Sequence, residues 1–146
     1  MPRLILALLL AVAAEAAALA CSCVPPPEDP VARRTLAREI AQRALALVEV
    51  ELVAPYGAQP GRGERLRVRR TLAGRAPAAF EVERFADPSS AACDVQFQSG
   101  ARALIVVYPP RNRVAGLYRI SSSCASYLLG DAALRTALVD EIDRRR

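Results

Sequence analysis

Leu45-Ala46-Leu47-Val48-Glu49-Val50-Glu51-Leu52-Val53 is where the chain changes period. Val48, Val50 and Leu52 fall on one face with Glu49 and Glu51 on the other, the two-residue repeat of a strand buried on one side. Just upstream the repeat is that of a helix. Asp29 is placed to cap it, Pro30 suits its first position, and Leu36 and Ile40 stand four apart on one side. These residues predict a helix from about Pro30 to Gln42.

Downstream the strand period returns four times. Pro55 to Gly63 is rich in proline and glycine and reads as a turn region. Leu66, Val68 and Leu72 then alternate roughly with Arg65, Arg67 and Arg69, giving a second strand. Gly74 to Pro77 turns the chain, and Phe80 and Val82 against Glu81 and Glu83 give a third. Asp87 to Ala92 is a loop with Cys93 at its end. The continuous apolar run Ala103-Leu104-Ile105-Val106-Val107-Tyr108 reads as a central strand covered on both faces. Pro109 to Arg113 turns again, and Val114 to Ile120 makes a fifth strand leading to Cys124. Asp131 then caps a helix with Leu134, Leu138 and Ile142 on one side, and Arg144-Arg145-Arg146 suits its C-terminal dipole. Five short strands with helices mainly at the two ends predict a mainly β fold: a five-stranded OB-type β-barrel.

The first residues read as an export signal. Arg3 is the positive end, Leu4 to Ala14 the apolar core, and Ala18-Leu19-Ala20 a small-residue cleavage box. Glu15 interrupts the run, and the whole is too short for a transmembrane helix. The expected organisation is therefore a signal peptide over 1–20, a barrel domain over 21–130, and a C-terminal helix over 131–146 packing on the same domain. Cleavage after Ala20 makes Cys21 the first mature residue of an exported protein, periplasmic or extracellular. A cysteine at that place is also where bacterial lipoproteins are acylated, and membrane attachment is expected only in that case. Four cysteines behind an export signal form an even set, enough for two disulfides in an oxidising compartment.

Composition narrows the chemistry further. The 146 residues contain no histidine and no lysine, so all 20 basic residues are arginines and the net charge is +5. Without histidine, the commonest metal ligand and general base is missing, and most hydrolase constellations are excluded. Asp87, Asp94, Glu81 and Glu83 have no motif around them and read as ordinary surface charge. No enzyme signature is present. OB-type barrels often bind single-stranded nucleic acid, but such sites interleave aromatic platforms with the charges. Arg65, Arg67, Arg69 and Arg70 have no aromatic neighbours, so a solvated strand face is expected and no nucleic acid.

The stretch Cys21-Ser22-Cys23-Val24-Pro25-Pro26 stands directly behind the cleavage box, and Pro25-Pro26-Pro27 should keep it stiff and out of helix. A mature chain opening Cys-x-Cys-Val-Pro-Pro, with one cysteine in a loop after the third strand and another just past the fifth, resembles the N-terminal domain of tissue inhibitors of metalloproteinases. The resemblance covers the order of elements over roughly Cys21 to Gly130. It implies disulfides Cys21–Cys93 and Cys23–Cys124. It also implies a protease-binding ridge of Cys21, Ser22, Cys23 and Val24, widened by Ala91, Ala92 and Cys93. In that family the free N-terminal amine and carbonyl, here those of Cys21, chelate the zinc of a metalloendopeptidase, and the residue here occupied by Ser22 enters its first primed pocket. The protein would hold no cofactor of its own and contact only the target's zinc. The family's third disulfide and, in animal members, its second domain have no counterpart here. Two other readings of the cysteines stay open: staples of an exported barrel with another function, or a Cys-x-Cys thiolate site for copper or zinc.

Overall fold

The computed structural model describes residues 23–55, 61–84, 95, 97–111 and 114–145. In chain order the elements are helix α1 (Pro30–Ala41), strands β1 (Ala46–Ala54), β2 (Arg62–Gly74), β3 (Ala79–Glu83), β4 (Arg102–Tyr108) and β5 (Leu117–Ile120), and helices α2 (Ser123–Leu128) and α3 (Ala132–Asp143). The strands close into a barrel in the order β1-β2-β3-β5-β4. All neighbours are antiparallel except β3 and β5, which run parallel. This is the five-stranded Greek-key barrel expected of the OB type.

Closure of so small a barrel requires strong coiling. The β1–β2 pairing shows three register shifts, at Leu47/Val48, Glu49/Val50 and Leu52/Ala54. Irregularities of this kind add local twist and bend the strand that carries them. Where that pair begins, opposite Ala46, Gly74 takes φ +78°, and a Cβ there would lie 2.1 Å from the Leu45 carbonyl oxygen. Only glycine fits this approach.

Two apolar cores share the strands. Val48, Val50, Leu66, Phe80, Val82, Ile105 and Val107 fill the barrel. Leu47, Ala73 and Val106 point the other way, under Ala37 and Ala41 of α1, Leu129, and Leu134, Leu138 and Ile142 of α3. This explains the unbroken apolar run in β4: Ile105 and Val107 face inward while Val106 is covered by the helices. The helix ends are capped by side chains. Asp29 accepts from the Ala32 N–H at 2.7 Å and Asp131 from the Leu134 N–H at 2.6 Å.

Three details differ from the sequence reading. β5 begins at Leu117, because Ala115 and Gly116 form a turn in which Gly116 has φ +82°. The six-residue α2 was not anticipated; Ser122 caps it by accepting from the Ala125 N–H at 3.4 Å. Glu83, expected on the solvent side, is buried at 7% exposure.

Candidate functional site

Of the residues expected to form the ridge, Cys21, Ser22, Ala91, Ala92 and Cys93 lie outside the described residues, and with them the Cys21–Cys93 pairing. Cys23 and Val24 are described. Cys23 is bonded to Cys124, with Cα atoms 5.0 Å apart and a sequence separation of 101. Cys124 stands in the first turn of α2, which packs on β4. The disulfide thus fastens the start of the described chain to the barrel wall just after β5. A bridge spanning so long a stretch restricts the unfolded chain by up to about 4–5 kcal/mol in the chain-entropy account. It also removes Cys23 from any thiolate metal site.

Past the bridge the chain stays out of helix and strand until Asp29 caps α1. Val24 is 79% exposed, and Pro25 is exposed too. The prolines explain how Val24 can stand in solvent without collapsing onto the barrel, since each fixes its own φ and restricts the residue before it. Tyr127, one helical turn beyond Cys124, is 57% exposed. Apolar side chains are therefore presented on both sides of the staple.

Beside the staple a cleft of about 300 Å³ opens at the end of the barrel. Val82, Glu83 and Arg84 from the end of β3 form one wall; Arg119 to Ser122 form another, with Tyr108, Arg111 and Ala125 completing it. The sequence offered no sign of this site, because its residues come together only when β3 and β5 pair in parallel.

The charges in the cleft are handled unequally. Arg84 gives two hydrogen bonds to Glu64, at 3.0 and 2.9 Å, and a third to the Val95 carbonyl at 3.3 Å. Arg119 donates through Nε to the Pro109 carbonyl at 2.9 Å, and its guanidinium carbon lies 5.8 Å from the centre of the Tyr108 ring. Burial pushes the Tyr108 phenol above its ordinary value, an effect partly offset by Arg119 and Arg43. One Glu83 oxygen, Oε2, accepts from the Arg111 N–H at 2.9 Å. The other, Oε1, is buried without a hydrogen-bond partner among the described residues. A hollow of about 640 Å³ on the other side of Tyr108 and Arg119 is walled by Leu36, Glu39 and Ile40 of α1 and by Arg43 just past it.

The arginine stripe behaves differently. Arg69 and Arg67 reach Glu51 at 2.6 and 3.5 Å, and Arg102 reaches Glu49 at 2.9 Å. These are cross-strand pairs on an exposed face, as the solvated reading expects.

Set against known proteins, the chain matches no family model, no curated protein and no solved structure. Fold and site together define a small closed β-barrel with a helical cover on one side and a segment at Cys23 held by a disulfide beside a charged cleft.

Proposed function

We propose that the protein is an exported inhibitor of zinc metalloendopeptidases, similar in its working part to tissue inhibitors of metalloproteinases. The observation that carries this reading is the Cys23–Cys124 bridge, which holds the segment at Cys23 against the barrel with Val24 exposed beside it. The barrel order supports it as well, since the resemblance implies both.

With the leader removed after Ala20, Cys21 presents an α-amine and a carbonyl that can close a five-membered chelate on the open position of a catalytic zinc. The amine binds only when unprotonated, and its ordinary pKa of about 7.7–8.0 allows the proton to leave readily at neutral pH. The zinc-bound water, which is the protease's nucleophile, is then displaced. Ser22 fills the first primed pocket with a small side chain, which favours breadth over selectivity. Cys23 and Val24 continue the ridge, and Ala91, Ala92 and Cys93 extend the contact. A ridge ordered in advance by disulfides loses less entropy on docking.

The test begins with an intact mass of the protein exported by its host. A chain starting at Cys21 with two disulfides and no acyl group is expected. This protein should inhibit members of a panel of zinc metalloendopeptidases, and a variant with one alanine added ahead of Cys21 should lose about 100-fold or more in potency. Equal potency of the extended variant would rule out chelation. An acylated Cys21 would make the protein a membrane-anchored barrel without inhibitory activity.

A further inference from the structure

The cleft at the β3–β5 end contains an oxygen that the fold leaves unanswered. Glu83 is 7% exposed, and its Oε1 has no hydrogen-bond partner among the described residues. Buried polar atoms are almost always paired, and a bare carboxylate oxygen is among the costliest to leave. Arg84 does not answer it, because its guanidinium is engaged by Glu64 and the Val95 carbonyl.

Arg119 is the obvious partner by position. Val82 pairs with Tyr118 in the parallel β3–β5 register, and Glu83 and Arg119 are the next residues on the two strands. Both line the same cleft, yet no ion pair joins them among the described residues. The Arg119 guanidinium is turned toward β4, where its Nε is taken by the Pro109 carbonyl and its plane by the Tyr108 ring. Opposite charges thus face one cleft from neighbouring strands without neutralising each other. A single carboxylate is too few oxygens for a divalent cation. A molecule that carries both signs would satisfy both walls.

We propose that this cleft binds a small zwitterion of the α-amino-acid class, its ammonium on Glu83 and its carboxylate on Arg119. Each contact is a charge-assisted hydrogen bond, about twice as strong as a neutral one. The volume of about 300 Å³ lies at the lower end of small-molecule sites, with room for a free amino acid. The lining of the cleft contains none of the residues assigned above to protease binding, and the proposal does not depend on protease inhibition.

Calorimetric titration of the exported protein with the proteinogenic L-amino acids, each beside its N-acetyl derivative and its methyl ester, tests this. Saturable binding of at least one free amino acid is expected. Acetylation removes the ammonium and esterification the carboxylate, and each should weaken binding by about tenfold or more. Glu83→Gln and Arg119→Met should weaken binding of the free amino acid to the same degree. If Glu83→Gln fails to fold, the ligand derivatives and Arg119→Met still decide the matter. Absence of binding by every free amino acid at about 10 mM would overturn the proposal. So would equal binding of the acetylated form, which would mean that Glu83 reads no ammonium.

Discussion

The β1–β2–β4 face and the β3–β5 end of this barrel carry charge in opposite ways. On the first, Glu49 and Glu51 each meet arginines across the strands in the open, where Arg67, Arg69 and Arg102 keep 42–66% of their side chains exposed. At the second, Arg84 and Glu64 pair at 9% and 16% exposure, and Glu83 is buried with one oxygen unpaired among the described residues. Water does the work of solvation on the first face, so its pairs are interchangeable and carry little. At the second end the protein must supply each partner itself. A gap there points to a ligand, whereas a gap on the first face would mean nothing.

The comparison can be broken or sharpened by substitution. The largest effect is expected at the staple that closes the cleft end. Replacing Cys23 and Cys124 together by alanine should lower unfolding free energy by about 4 kcal/mol, measured by denaturant titration. An unchanged midpoint would mean that the segment at Cys23 is held by other contacts. Next in size, Glu64→Gln removes the carboxylate that takes two hydrogen bonds from Arg84. Because the pair is largely buried, the loss should be about 3 kcal/mol.

Tyr108 gives a smaller, pH-dependent signal. Its phenol is raised above the ordinary value of 10.0 by burial, so the folded chain holds that proton more tightly than the unfolded chain. The stability this contributes is complete below the ordinary phenol pKa and is lost as pH rises through the raised one. Tyr108→Phe should therefore flatten the alkaline decline in stability above pH 10, relative to the parent. A parallel decline in both proteins would assign it to other groups. The smallest change is expected on the open face. Glu51→Gln should alter stability by less than about 1 kcal/mol, and added salt should erase the difference. A loss as large as that of Glu64→Gln would remove the distinction between the two regions.

Much of the fold was legible because its signals are local. The alternation from Val48 to Leu52 and the apolar run from Ala103 to Tyr108 mark strands through neighbours two residues apart. Asp29 and Asp131 cap helices that begin within one turn of them. Where the local signal was thin, the reading slipped. α2 is six residues of serine, cysteine, alanine, tyrosine and leucine with too few turns to show a period. Glu83 was misread for the complementary reason. It follows the alternation of β3, but at the end of the barrel the chain at Arg111 lies against its side chain and donates a backbone hydrogen bond to it.

The sequence by itself determined the strands, their order along the chain, the two capped helices and an even set of cysteines. These follow from hydrophobic period and capping chemistry within a few residues. Tertiary structure alone decided how the strands close, that β3 and β5 run side by side in parallel, and that Glu83 and Arg119 share a cleft. It also set Cys124 within reach of Cys23, a pairing that the resemblance implied and composition left open. Each of these joins residues far apart in the chain, and only the barrel's closure brings them together.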